Sequence, residues 1–396
     1  MPVDASEPTL STPPYADDIL HYVRTQRDAF VDYVQALAEH ESPSTDPAAQ
    51  QPVFRQLARS LRALDFYTQH LPGTRTGGCL YARPASRPHG APYQMLIGHG
   101  DTVWSHGTLD RMPAQIDDGR LRGPGVFDMK AGLALIVWAL ETLDALGLTP
   151  PVTPVVLVNS DEEIGSIESR PLIERLARGA DRAFVLEPAL GLDGKLKTAR
   201  KGTGEFEIIA EGQAAHAGLS PDQGASAIVE LAHVVQALHA LNDPERGISV
   251  NVGTIDGGQR PNVIAPTSRL TVDIRVPTQE DARSIAAQIK ALAPTTPGIK
   301  LTVRGGIERM PMERTPRNQV LWRQAQQLGR SIGLTLDDGL SGGGSDGNFT
   351  SHHTATLDGL GAVGDGAHAD HEFISIDETI DRCALLALLI MTPPRT

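Results

Sequence analysis

At 396 residues, with 40% hydrophobic and 21% charged positions, the chain is too long for one ordinary core, and two soluble globular domains are expected. A formal net charge of -13 excludes a nucleic-acid surface built on clustered Lys and Arg. Two distant cysteines, Cys79 and Cys383, exclude a disulfide framework and a cysteine-based zinc site. No apolar run reaches the roughly 18 residues of a membrane-spanning helix. The stretch Met1 to Asp18 has neither the basic start nor the apolar core of a secretory signal, so a cytoplasmic location is the default expectation.

In chain order, Asp17 to Glu39 is expected as one amphipathic helix with Ile19, Val23, Phe30, Val34 and Leu37 near one face. A second helix is expected from about Pro52 to Leu64. Tyr93 to Ile97 is a short apolar strand ending at His99, and Ala131 to Leu146 is a helix after Asp128. Pro154 to Val158 is a β-branched strand ending at Asp161-Glu162-Glu163, followed by a helix over Arg170 to Arg178. Ala183 to Leu186 is a buried-type strand ending at Glu187. Strands that each end in a polar motif are the pattern of an open α/β sheet, whose ligands bind outside the carboxyl ends.

The character changes near Thr198. Strands are expected at Glu205 to Ala210, Ser249 to Ile255, Leu270 to Val276 and Lys300 to Arg304, with helices at Gly224 to Leu241 and Glu280 to Leu292. The order β-α-β-β-α-β is that of a ferredoxin-like module. After Gly305-Gly306 come helices at Gln319 to Ile332 and Asp377 to Met391. The fold class is therefore α/β, a mixed-sheet catalytic domain with helices on both faces (residues 1–197 and 306–396). A ferredoxin-like α+β domain is inserted at residues 198–305.

Five motifs carry the chemistry: Gly98-His99-Gly100-Asp101, Gly125-Val126-Phe127-Asp128, Asp161-Glu162-Glu163, Leu186-Glu187-Pro188 and Ala367-His368-Ala369-Asp370. Together they offer two imidazoles and several carboxylates, more than one zinc ion needs and enough for two. Asp128 precedes a helix and is either an N-cap or a tighter, cation-bridging carboxylate; the Gly-rich approach and Lys130 favour the second. Three adjacent acids at a strand end repel one another unless cations are near. Successive side chains point to different sides, so Glu162 and Glu163 cannot do the same job. His371, three residues after His368, competes with it for one ligand role. The Gly-rich run Ser341 to Asp346 lacks the context of a phosphate loop and reads as a place of close backbone approach.

This set of motifs resembles a zinc exopeptidase family that includes glutamate carboxypeptidases, aminoacylases, acetylornithine deacetylase and succinyl-diaminopimelate desuccinylase. The resemblance covers nearly the whole chain. It is nearest the glutamate carboxypeptidase branch through Asp161-Glu162-Glu163-Ile164-Gly165-Ser166, Leu186-Glu187-Pro188 and Arg200-Lys201-Gly202. Glu187, rather than Asp, resembles the carboxypeptidase and aminoacylase branches and is unlike the desuccinylase branch.

The resemblance implies two Zn2+ per subunit, with Co2+ or Mn2+ as substitutes. His99 and Glu187 would hold one, Glu163 and His368 the other, with Asp128 bridging. Asp101 would orient His99, and Glu162 would be general base and acid. His368 is favoured over His371 by its spacing to Glu372. In the lid, His216 of Ala214-Ala215-His216-Ala217-Gly218 would stabilise an oxyanion in the partner subunit. Asn262 and Arg275 would grip the substrate, whose carboxylate suits a guanidinium fork. The implied partners are a small peptide or N-acyl amino acid and a second subunit docked through the lid. The implied activity is amide hydrolysis releasing a glutamate-type C-terminal residue, or alternatively N-acyl-amino-acid deacylation.

Overall fold

The protein is described here from a computed structural model covering residues 13–394; the first twelve residues of the stretch read above for a signal lie outside the described residues. It divides into two compact units. One holds the chain up to Thr198, Arg314–Leu340 and the residues from Ser345 onward, and the other Ala199–Glu313 with Ser341–Gly344.

The first unit is built on a six-stranded mixed sheet. In spatial order its strands are Phe66–Leu71, Cys79–Pro84, Thr153–Asn159, Tyr93–His99, Arg182–Val185 and Ala355–Leu357. The last four run parallel, and the first two, strands that the sequence reading did not place, form the antiparallel edge of the expected mixed sheet.

Side-chain alternation places helices on both faces. Leu96, Val156, Val158 and Phe184 join the core under helices Ala131–Ala145 and Ile376–Ile390. Met95, Ile97, Leu157 and Val185 point the other way, onto Ile173 and Ala177 of helix Arg170–Gly179.

The expected first helix is two, Ala16–Thr25 and Arg27–Ala38, interrupted at Gln26. Thr25 Oγ1 donates to the Tyr22 carbonyl at 2.7 Å, a local side-chain bond that competes with the helical ladder. The expected second helix starts earlier, at Pro47, because Asp46 caps it by accepting from Ala48 and Ala49 N–H. Pro52 therefore lies inside that helix rather than opening it.

The second unit is a four-stranded antiparallel sheet, in the order Ser249–Gly257, Thr267–Val276, Gly202–Glu211, Lys300–Arg309. Phe206, Ile208, Leu270, Val272 and Ile274 face Leu231, Val234, Ile285 and Ile289 of its two helices, Ala227–His239 and Gln279–Lys290. Strand Lys300–Arg309 runs straight through Gly305-Gly306. A Cβ at Gly305 would lie 2.1 Å from the Glu205 carbonyl, so this glycine serves a close backbone approach within the strand. Among the described residues no helix is long and apolar enough to cross a membrane.

Candidate metal centre

The carboxyl ends of neighbouring parallel strands bring the first motifs together. His99 is in register with Asn159, and Gly100 N donates to the Asn159 carbonyl at 2.8 Å. The chain after Asn159 turns through Asp161 into the short helical turn Glu162–Ile164, which Gly165 ends at φ 101. Leu186 N bonds to the Ile97 carbonyl, placing Glu187 two residues beyond strand Arg182–Val185.

Asp128 and His368 arrive by another route. A small antiparallel sheet pairs Arg120–Arg122 with Phe373–Ser375 and the latter with Gly364–Asp365. The loops that leave this sheet carry Asp128 on one side and His368 on the other. Nothing in local sequence patterning announced the sheet, whose strands are only two or three residues long.

The side chains converge. His99 Nε2 lies 3.2 Å from Asp128 Oδ1 and 3.6 Å from Glu187 Oε1. His368 Nε2 lies 3.5 Å from Asp128 Oδ2 and 3.1 Å from Glu163 Oε2. One carboxylate, Asp128, thus stands between two imidazoles, each with a second acid. His368, not His371, makes these ion pairs, and it does so from a left-handed backbone, φ 61. Glu162 is buried and belongs to a cluster with His99 and Glu187 whose ligand atoms all lie within 4.8 Å; a second such cluster is His99, Asp128 and Glu163.

Asp101 meets His99 through its backbone carbonyl as well as its carboxylate. The His99 Nδ1–H donates to the Asp101 backbone carbonyl at 2.9 Å, with the carboxylate farther off at 3.4 Å. A carbonyl can only accept, so Nδ1 carries a proton, and Nε2 is the nitrogen that faces the cluster and would serve a metal ion. The Asp101 carboxylate also accepts from Ser44 Oγ and from the Glu162 and Glu163 N–H groups, anchoring the acidic turn.

The electrostatics of this cluster ask for cations. Burial lifts Glu163 to about 7. Hydrogen bonds to Asp128 and Glu163 raise His368 to about 10. Burial opposes charge on both His99 and Asp128, yet their mutual bond, with Asp101 and His368, outweighs it: the imidazole goes well up and the carboxylate well down. Glu163 Oε1 is buried without a hydrogen-bond partner. A buried carboxylate oxygen left unpaired, among further acids and imidazole nitrogens, fits a pair of divalent ions bound through oxygen and nitrogen.

The lid residues are arranged within their own unit. Ala217 N donates to the Asn262 carbonyl and Ile264 N to Ala215, so the His216 and Asn262 loops are tied together. His216 Nδ1 accepts from Gly218 and Leu219 N–H, both at 3.1 Å, which puts the ring proton on Nε2. Arg275 already uses two donors, Nε and Nη2, on Asp273 at 2.9 Å each. The Gly-rich run is met by Arg200, whose Nη1 donates to the Gly343 and Gly344 carbonyls.

Sequence reasoning also missed the role of Glu372. It is fully buried, and its carboxylate accepts from Trp104 Nε1 and from the N–H groups of Gly125, Phe127 and Asp128 at 2.8–3.0 Å. Its spacing from His368 was the only signal.

Two clusters of His and acidic donors at the strand ends of a mixed α/β domain, with a separate β-rich lid, are the architecture of a zinc-type metallohydrolase. The description of peptidase family M20/M25/M40 matches residues 95–392, and the chain belongs to that family. It is 30% identical over 306 residues to carboxypeptidase G2 of Pseudomonas sp. strain RS-16, covering 75% of this chain and 73% of that protein. It is 27% identical over 345 residues to succinyl-diaminopimelate desuccinylase of Rhodopseudomonas palustris strain BisA53, covering 79% and 85%. Among solved structures, aminopeptidase PepT from Bacillus cereus ATCC 10987 superposes with a TM-score of 0.76 at 20% identity, over 94% of this chain and 98% of that one. The M20 metallo-carboxypeptidase Sso-CP2 from Sulfolobus solfataricus gives 0.67 at 14%, over 92% and 98%. Several branches of the family are thus represented side by side.

Proposed function

We propose that the protein is a dizinc amidohydrolase that releases a C-terminal, glutamate-type amino acid by cleaving the amide bond before it. The observation that carries this reading is the Asp128 carboxylate standing between His99 and His368, with a further acid beside each imidazole. His99, Glu187 and Asp128 would hold one zinc, and Asp128, Glu163 and His368 the other. When bound, the ions supply Lewis acidity toward the scissile carbonyl and acidify water.

The chain's own residues do the rest. Glu162 carries no ligand duty in this reading. Its carboxylate takes a proton from the attacking water and returns it to the leaving amine nitrogen. Asp101 keeps Glu162 and Glu163 apart in role by holding both backbone N–H groups. In the lid, His216 Nε2–H is a donor suited to a developing oxyanion, Asn262 offers an amide from the adjoining loop, and the outer edge of Arg275 suits the substrate carboxylate.

The carboxypeptidase reading is supported by the similarity to carboxypeptidase G2, while Glu187 speaks only against the desuccinylase branch. A second reading, deacylation of N-acyl amino acids, draws on 32% identity over 201 residues to acetylornithine deacetylase of Myxococcus xanthus, a stretch that covers 48% of this chain and 51% of that protein. Zinc-loaded protein assayed on peptides and folyl conjugates ending in Glu, against N-acetyl and N-succinyl amino acids, separates the two. Turnover confined to the acyl substrates would replace the first reading with the second.

A homodimer through the lid is part of the proposal. Strand Ser249–Gly257 is one of the sheet's two edges, and Ile255 on it is exposed, as are Ile228 and Val229 of the lid helix Ala227–His239. If His216 acts in trans, co-expressed His216→Ala and Glu162→Ala chains recover at most about one quarter of wild-type activity, from one good site in each of the half of dimers that are mixed. Background activity in a verified mixed population would remove the trans role.

A further inference from the structure

Glu372 has no place among the proposed metal ligands, yet it is among the most completely enclosed acids of the catalytic unit. Enclosing a carboxylate is costly unless donors surround it. Here four do, and three of them are backbone N–H groups of the single loop that ends in Asp128: Gly125 at 2.8 Å, Phe127 at 2.9 Å and Asp128 at 3.0 Å. The fourth is the Trp104 indole at 2.8 Å.

Bonds within that loop, Val126 N to Gly123 O at 3.4 Å and Lys130 N to Gly125 O at 2.9 Å, leave the Gly125, Phe127 and Asp128 N–H groups to other acceptors. Gly125 is at φ 73, and Asp128, at φ -115 and ψ 94, departs from helical geometry before helix Ala131–Ala145 begins. Its N–H groups therefore converge on an anion, as successive backbone donors do in an anion-binding concavity. On its other side Glu372 closes the turn that carries His368, its own N–H donating to Ala369 O at 3.0 Å. Gly123 N adds a bond back to the Glu372 carbonyl. One residue thus grips both the loop of the bridging carboxylate and the turn of the His368 imidazole.

We infer that Glu372 is a positioning residue for the dinuclear centre, setting where the Asp128 carboxylate stands relative to His368. The inference rests on the dizinc reading above. Lys130, the cation that follows the Asp128 loop, donates its Nζ to the His40 carbonyl at 2.7 Å. The Glu372 carboxylate is therefore matched by N–H donors, and an amide in its place would turn an NH2 group toward them.

The test uses metal-free full-length protein titrated with zinc chloride against a competing chelator, with Glu372→Gln and Glu372→Ala beside wild type. Loss of such a supporting acceptor typically weakens metal binding about 10–100-fold, and the second zinc is expected to suffer that loss. A second readout is the exchange-coupled EPR signal of the Mn2+-loaded pair, which reports the bridge itself and is expected to change in both variants. Glu372→Asp, which keeps the acceptor, should recover part of the affinity. Variants that bind both zincs as tightly as wild type with an unchanged Mn2+ signal overturn the inference. Should the Glu372 variants fail to fold, Trp104→Phe decides, since it removes one donor and leaves the carboxylate: an unchanged second-zinc affinity overturns the inference and a weakened one supports it. Wild type binding fewer than two zincs per chain would instead sink the dizinc reading, and this inference with it.

Discussion

Replacing Glu162 by Ala separates catalysis from metal binding at a point where two neighbouring acids face different partners. Glu163 reaches His368 at 3.1 Å, whereas Glu162 clusters with His99 and Glu187. Both backbone N–H groups rest on Asp101, so truncating the Glu162 side chain leaves the turn anchored. All five proposed ligands remain in Glu162→Ala, and elemental analysis should find two zincs per chain. Loss of a general base removes ~10²–10⁴-fold of turnover, or about 3–5 kcal/mol of transition-state stabilisation. KM should stay near wild type, because neither the lid residues nor the ligands change. Glu163→Ala should do the opposite: the protein should lose a zinc, because His368 would keep only Asp128 beside it. The reasoning fails if Glu162→Ala is purified short of metal while Glu163→Ala keeps both ions, for the two acids would then have exchanged roles.

His368→Ala should bind one zinc and His371→Ala two; two zincs in the first protein, by elemental analysis, would move the ligand assignment to His371. Gly132→Ala would place a Cβ 2.0 Å from the Leu186 carbonyl, one residue before Glu187. Overpacking of this kind costs roughly 1–3 kcal/mol, so a lowered melting temperature with weaker zinc binding is expected, and an unchanged melt would refute it. Glu168 accepts from the N–H groups of Thr74, Arg75 and Thr76 and from both threonine hydroxyls, and these bonds, Thr74 first, hold it down to about 2. A depressed carboxylate stabilises the fold above its ordinary value of 4.5, and that contribution is lost as pH falls toward 2. Glu168→Gln should therefore melt below wild type at pH 6, with the gap closing between pH 4.5 and pH 2; a gap independent of pH would refute the assignment.

The elements legible in the sequence are those whose signal is local. Strand Tyr93–His99 and strand Thr153–Asn159 were readable because β-branched and apolar runs end abruptly at polar motifs. The lid's β-α-β-β-α-β order followed from alternating periods of two and 3.6. His99, Asp128, the Glu162-Glu163 pair, Glu187 and His368 stood out because acids and imidazoles gathered at strand ends and Gly-rich turns have few structural uses. Helix bounds were less legible: at Asp46-Pro47 the cap outweighed the proline six residues into the segment, and at Gln26 the backbone, at φ -91 and ψ 10, interrupts a continuous amphipathic pattern.

What the tertiary structure decided is which of those residues meet. Glu372 and Phe127 are 245 positions apart, and only the closing of the small sheet brings their loops together. Strands of two or three residues carry no periodicity of their own, since their stability comes from the pairing and not from the segment. The tautomer of His99, the division of labour between the Asp101 carbonyl and carboxylate, and the engagement of Arg275 by Asp273 likewise depend on distances of a few tenths of an ångström. Sequence supplies the donors and acceptors; the closure of distant chain segments selects their partners, because a hydrogen bond or ion pair weakens steeply with distance and misalignment.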